Sequence, residues 1–318
     1  MDGDVHPEVA ATAEAIESME TRGAATIADA VVDALATQAT ESDADTPEAL
    51  RAELRAAARE LHRTRPTAVS LPNALRYVFN RLDGESVLGL RQSVVTAAET
   101  FTAQLDRAQA DLGRVGANRL RDGDTVMTHC HSTDVLACIE AAVDQSKELS
   151  AIVKETRPRN QGHITAGELR DLGVPVTLIV DSAARRFLDE ADHVLVGADS
   201  IAADGSVVNK IGTSGLAVCA RQRDVPVVTA AQTIKLNPDT LTGHTVEIET
   251  RDEAEVIDPE RRADIGEITV ENPAFDVTPP RYVDAIVTEH GQFPPESIVT
   301  LIRDLYGTGT GAPWDEEA

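Results

Sequence analysis

Residues 125–181 read TVMTHCHSTDVLACIEAAVDQSKELSAIVKETRPRNQGHITAGELRDLGVPVTLIVD. Three short runs rich in β-branched and apolar residues stand in this stretch: TVMTHC, AIVKET and VTLIVD. Between them lie DVLACIEAAVDQS and TAGELRDLG, whose apolar residues recur at helical spacing. Strands that alternate with helices of 10–15 residues specify βαβ units, and therefore a parallel sheet covered on both faces. The alternation continues through HVLVGA, VVTAA and AIVTE, with SAARRFLDEA, TSGLAVCARQRD and ESIVTLIRDLYG as the further helical segments. HVLVGA is apolar almost throughout, as a strand buried on both faces must be.

The first third has a different texture. PEVAATAEAIESME, TIADAVVDALATQAT, PEALRAELRAAARELHRT, SLPNALRYVFNRLD and LGLRQSVVTAAETFTAQLDRAQADLGRVG all carry apolar residues three and four apart. Thr46-Pro47-Glu48 reads as an N-cap with proline at the first helical position. The expected fold is α/β: a helical N-terminal domain over 1–118 and a Rossmann-like parallel sheet flanked by helices over 119–318. The polar stretch from about 237 to 280 is expected to be an excursion at one end of the sheet or at a subunit contact. Gly307–Gly311 (GTGTG) opens no helix and reads as a tail, not a phosphate loop.

The 318 residues carry 54 acidic and 29 basic side chains, a formal charge of −25. This disfavours duplex DNA and anionic membrane surfaces as partners. There is no apolar run of transmembrane length and no signal-peptide pattern, so a cytoplasmic protein is expected. The lysines are Lys147, Lys154, Lys210 and Lys235, and every other basic residue is arginine. An acidic, lysine-poor surface suits a protein working in molar salt, where the screening length falls to about 3 Å.

In an open α/β sheet, ligands bind outside the carboxyl ends of the strands. Cys130 lies at the end of the first strand, just before a predicted helix start that would lower its thiol pKa. Asp199 ends the apolar fourth strand, where desolvation would raise its pKa and suit acid–base work. Lys154, Lys210 and Lys235 fall on the same predicted rim and suggest an anion site, with Lys147 away from it. His129 and His131 flank Cys130, but consecutive residues point to opposite faces of a strand and make a poor metal site, so no metal is expected.

GADSIAADGSVVNKIGT, residues 197–213, closely resembles a signature shared by three groups. These are the alpha, beta and delta subunits of translation initiation factor 2B, methylthioribose-1-phosphate isomerases and archaeal ribose-1,5-bisphosphate isomerases. Arg22-Gly23-Ala24-Ala25, Arg65-Pro66-Thr67-Ala68-Val69 and KETRPRNQG (154–162) resemble further motifs of this superfamily. The text His129-Cys130-His131-Ser132 and the stretch RPTAVSLPNALRY are similar to the ribose-bisphosphate group in particular.

That resemblance implies an aldose–ketose isomerase acting on ribose 1,5-bisphosphate to give ribulose 1,5-bisphosphate in nucleoside-derived pentose metabolism. It implies Cys130 as base and a protonated Asp199 as acid. An enolate-type intermediate stabilised by Lys210 or Asn209 would follow, with hydride transfer from C2 to C1 as the competing route. Substrate contacts are implied at Arg22, Gly23, Ala24, Ala25, Arg65, Ser132, Thr133, Asn209, Lys210 and Lys235. No cofactor is required by this chemistry. The resemblance also implies a homo-oligomer, dimer or hexamer, with AMP activation in some members. The alternatives are a methylthioribose-1-phosphate isomerase and a non-catalytic regulatory subunit, which would need neither Cys130 nor Asp199.

Overall fold

A computed structural model describes residues 4–21, 23–65, 68–241, 243, 246–306 and 312–315. The chain forms two compact units. One comprises residues 1–108, 234–239 and 305–318; the other comprises 109–233 and 240–304.

The first unit is built on α1 (Pro7–Glu17), α2 (Ala24–Glu41), α3 (Pro47–Thr64), α4 (Ser70–Phe79) and most of α5 (Val87–Ala117). In α3, the Thr46 hydroxyl accepts the Ala49 N–H at 3.2 Å and Pro47 fills the first turn, as the sequence predicts. Leu50, Leu54, Ala57, Ala58 and Leu61 then form one buried stripe. They pack with Val31, Leu35, Leu75 and Trp314 in a single core. Trp314 is 1 % exposed, and its ring meets His62 and Phe79 at centroid distances of 5.3 and 6.0 Å. Burying such side chains contributes roughly 1.5–3 kcal/mol each.

The second unit carries β1 (Thr125–Thr128), α6 (Thr133–Asp144), β2 (Ser150–Lys154), α7 (Gln161–Asp171), β3 (Val176–Ile179), α8 (Ala184–Phe187) and β4 (His193–Val196). There follow β5 (Ser200–Ala202), β6 (Val207–Lys210), α9 (Thr213–Arg221) and β7 (Val227–Ala230). After the two-residue β8 (Leu236–Asn237), which belongs to the helical unit, come α10 (Pro259–Ile265), β9 (Phe275–Thr278), β10 (Ala285–Thr288), β11 (Gly291–Phe293) and α11 (Ile298–Tyr306).

The main sheet has the order β11-β10-β7-β4-β1-β2-β3, parallel except for the β10–β11 pair. The expected α/β fold is therefore the observed one. The six strands read from apolar runs are β1, β2, β3, β4, β7 and β10. From β1 the chain winds outward through β2 and β3, then returns to the other side of β1 with β4. The order reverses between β1 and β4, which is where a crevice opens at the carboxyl ends of such a sheet.

The excursion contributes β9, which pairs antiparallel with β6 and places Lys210 opposite Phe275. β5 and β6 form a hairpin around Asp204-Gly205, with Gly205 at φ 82° and Ser206 N–H on Asp204 Oδ1. That Asp-Gly pair is a turn signal in the sequence. The polar composition of the excursion hid β9.

Candidate active site

β1 and β4 are neighbours, with Val126 opposite His193 and Met127 opposite Val194. Cys130 and Asp199 follow their carboxyl ends, so the sheet order brings two residues 69 positions apart to neighbouring strand ends. The approach of the two ends is close: a Cβ at Gly197 would lie 2.5 Å from Ser132 Oγ, so only glycine fits there.

Cys130 is 8 % exposed and adopts φ 70°, an uncommon conformation for a non-glycine residue. Its N–H donates to Thr156 Oγ1 at 2.9 Å, and its carbonyl accepts from Thr165 Oγ1 at 2.9 Å. α6 begins only three residues later, capped by Ser132, whose hydroxyl accepts the Val135 N–H at 3.4 Å. The expected depression of the thiol pKa by the helix terminus is not found. Burial pushes the thiol up to about 11, against the pull of the His131 backbone N–H, Lys210 and Arg251, while Asp199 adds to the rise. A dipole that acts within one turn does not offset loss of solvent around a sulfur anion.

Asp199 differs from its expectation too. Its backbone N–H pairs with Val208 O at 2.9 Å, but the residue is exposed. The apolar strand stops short of it, at Val196.

Lys210 is 7 % exposed, and its Nζ stands 4.7 Å from the Phe275 ring centroid. Burial lowers its pKa, Cys130 and Asp199 act to raise it, and Arg251 and Arg159 act to lower it. Lys210 thus feels both the thiol and the carboxylate. Asn209 is its strand neighbour and points to the other face, where Nδ2 donates to Thr213 Oγ1 at 3.0 Å. Arg157, Arg159, Lys210, Arg251, Glu255 and Asn272 line a narrow cleft.

Lys154 is not on an open anion rim as expected. It is 3 % exposed, donates to Gly212 O at 3.3 Å and lies 3.9 Å from Asp181 Oδ1. Asp276 on β9 completes this floor by accepting the Gly212 and Ser214 N–H groups at 2.7 and 3.0 Å. It serves as the missing cap of α9, whose N-cap Gly212 has φ 97° and no side chain to offer. His129 and His131 diverge around Cys130: His129 faces Thr156 and Ile211, His131 faces Thr165. No group of three His, Cys, Asp or Glu residues among the described residues could hold a metal ion.

Ser132, Thr133, Asn209 and Lys210 belong to the same unit as Cys130 and Asp199. Gly23, Ala24, Ala25, Arg65 and Lys235 belong to the helical unit. Gly23 is the N-cap of α2 with φ 93° and provides no side-chain cap, so the first-turn amides are not capped by it. Arg22 lies outside the described residues, as do Pro66, Thr67 and residues 307–311. The reading of the sequence missed Thr156, Thr165, Arg251 and Asp276. Thr156 was visible inside KETRP, but Arg251 and Asp276 sit in the excursion, where nothing local signals a site.

Residues 20–295 match the initiation factor 2 subunit family. A ribose 1,5-bisphosphate isomerase from Haloferax volcanii is 72% identical over 316 residues, covering 99% of this chain and 98% of that protein. One from Haloterrigena turkmenica is 68% identical, covering 98% of each. Among solved structures, a translation initiation factor eIF-2B from Pyrococcus horikoshii OT3 superposes with a TM-score of 0.76 at 31% identity, covering 93% of this chain and all of that one. The acidic, lysine-poor composition accords with the haloarchaeal relatives. The chain belongs to the initiation factor 2 subunit family, in the branch whose curated members are named ribose 1,5-bisphosphate isomerase.

Proposed function

We propose that this protein isomerises ribose 1,5-bisphosphate to ribulose 1,5-bisphosphate, with Cys130 and Asp199 as the acid–base pair. The observation that carries the reading is the placement of a thiol and a carboxylate at the ends of adjacent strands, with Lys210 acting on both. A non-catalytic subunit has no use for this pair.

The chemistry balances on these two groups. A thiolate at Cys130 takes the C2 proton, and the C2–H electron pair becomes the C1=C2 bond. The C1–ring-oxygen bond breaks, and Asp199 as carboxylic acid protonates the leaving oxygen. The enol hydroxyl at C2 then returns its proton to Asp199, while the Cys130 thiol delivers its proton to C1. Substrate and product are isomers, and both groups end as they began.

Cys130 rests as the thiol, and the working pair is thiolate and carboxylic acid. Lys210 and Arg251 favour the thiolate. Lys210, Ser132 and Thr133 suit an anionic group beside Cys130. Arg22, Gly23, Ala24, Ala25, Arg65 and Lys235 keep a phosphate role by resemblance to the family alone, as does Asn209 a substrate contact. The reading includes a cytoplasmic homo-oligomer that works in high salt, and AMP as an activator to be tested. No helix among the described residues is long and apolar enough to cross a membrane.

The test is product formation from ribose 1,5-bisphosphate, and separately from methylthioribose 1-phosphate, in molar KCl and in D2O. Cys130→Ser and Asp199→Asn should each lose about 10³-fold or more in kcat while melting near the parent. Deuterium at C1 of the product marks the enol route and excludes direct hydride transfer. Turnover of the thioether substrate alone, or near-parental kcat in either variant, overturns the assignment.

A further inference from the structure

Cys130 is held by side chains from two other segments. Its N–H is 2.9 Å from Thr156 Oγ1, and Thr165 Oγ1 is 2.9 Å from its carbonyl oxygen. Both polar atoms of one backbone residue are thus claimed by threonine hydroxyls, one beyond the end of β2 and one on α7. Such clamping matters because Cys130 and Thr156 both have positive φ, 70° and 64°. For a β-branched residue this is a genuine outlier, kept only where the surroundings over-determine it. The surroundings do so at Thr156: its N–H and that of Arg157 donate to the two oxygens of Asp181, at 3.0 and 2.7 Å.

The roles of the hydroxyls can be placed. His129 Nε2 is 2.8 Å from Ile211 O, which only accepts, so Nε2 carries a proton. The ring is buried and neutral, so Nδ1 presents a lone pair. The Thr156 hydroxyl has one proton and two groups to receive it, His129 Nδ1 at 3.2 Å and Lys154 O at 3.1 Å. With either acceptor the Thr156 oxygen keeps a lone pair for the Cys130 N–H. The Thr156 oxygen is then fixed as the acceptor for Cys130 N–H. On the other side the Thr165 proton goes to Cys130 O, and His131 Nδ1, at 3.2 Å, donates to Thr165 Oγ1.

We propose that Thr156 and Thr165 are positioning residues for Cys130, clamping it through its N–H and its carbonyl. The proposal rests on the reading of Cys130 as the reacting group. Neither threonine needs to touch the substrate.

Thr156→Val and Thr165→Val remove the hydroxyls at nearly constant volume; the serine variants keep them. Each valine variant should lower kcat for ribose 1,5-bisphosphate by about 10- to 100-fold, with KM within about twofold of the parent. Each serine variant should stay within about threefold of the parent kcat. Independently of turnover, the iodoacetamide labelling rate of Cys130, followed by peptide mass mapping, should change by more than about fivefold in the valine variants only. Melting curves establish that each variant is folded.

Valine variants with parental kcat and parental labelling overturn the proposal. So does a serine variant as impaired as its valine partner, which also decides the matter if a valine variant fails to fold. A rise in KM at constant kcat would make the threonines substrate contacts and likewise overturn it. If the parent turns over no ribose 1,5-bisphosphate, the functional reading fails, while the labelling comparison still decides the clamp.

Discussion

The two ends of the main sheet are built from opposite chemistries. At the amino end, aspartates stand one residue before a strand and hold the entrances together. Asp192, before β4, accepts the Thr125 N–H of β1 at 2.8 Å. Asp284, before β10, accepts the Val227 N–H of β7 at 2.8 Å. Asp124, before β1, accepts the Arg121 N–H at 2.8 Å and meets His193 Nε2 at 3.2 Å. At the carboxyl end stand a thiol, two buried lysines and Arg251, with left-handed backbone at Cys130 and Thr156. In a chain of net charge −25, Asp124, Asp192 and Asp284 serve as strand-entry caps, while Lys210 and Arg251 are retained beside Cys130. Stability is therefore concentrated at one rim and chemistry at the other. The two should separate under mutation.

After Cys130 and Asp199 themselves, the largest effect is expected at Lys210. Lys210→Met removes a cation that acts on both Cys130 and Asp199 and should cost about 10²- to 10³-fold in kcat/KM. Losing a neighbouring positive charge also moves the thiol further up, so Cys130 labelling by iodoacetamide at pH 9 should slow. The melting temperature should hold or rise, because a buried ammonium is replaced by an apolar chain. Unchanged labelling would detach Lys210 from the thiol and blur the contrast between the rims.

His129 lies under the carboxyl rim but acts on stability, and so sharpens the comparison. Burial, aided by Lys154 and Lys210 and opposed by Asp181 and the Ile211 carbonyl, brings its pKa down to about 4. The unfolded chain binds the proton near 6.5 and the folded chain does not, so the stabilisation is complete above 6.5 and is lost as pH falls through about 4. Wild type should therefore lose about 3 kcal/mol more than His129→Gln between pH 7 and pH 4. Denaturant titrations of both proteins in constant KCl read this directly. Parallel pH profiles would show that another group carries the acid limb.

The sheet was legible because strands buried on both faces leave apolar runs: HVLVGA and AIVTE could hardly be anything else. Cys130 and Asp199 were legible because carboxyl ends of parallel strands are where such folds do chemistry. The protonation states were not. The raised thiol pKa of Cys130 and the exposure of Asp199 depend on what packs above them, which no local window contains. β6 and β9 escaped because Asn209, Lys210 and Asp276 give them a polar texture. The Asp204-Gly205 turn joins β5 to β6 and gives no sign of the third strand, β9. Thr165 lies 35 residues from the Cys130 carbonyl it binds, and only the packing of α7 on β2 reveals the pair. Likewise, nothing in the periodicity of 234–239 or around Trp314 shows that these segments join the helical core.

The smallest effect tests the amino rim itself. Asp284 and Val227 exchange bonds: Asp284 N–H donates to Val227 O at 2.8 Å, and its carboxylate accepts the Val227 N–H. Val227 is 2 % exposed, so Asp284→Ala strands a buried donor and should cost about 1–2 kcal/mol. For a chain of this size that is a fall of roughly 2–8 °C in Tm. The Arg221 contact at 3.7 Å adds little, since both side chains are substantially exposed. Because the whole sheet separates Asp284 from Cys130, kcat and KM in molar KCl should stay within about twofold of the parent. A variant that melts as the parent does, or that loses activity in step with stability, would show that the two rims are not independent.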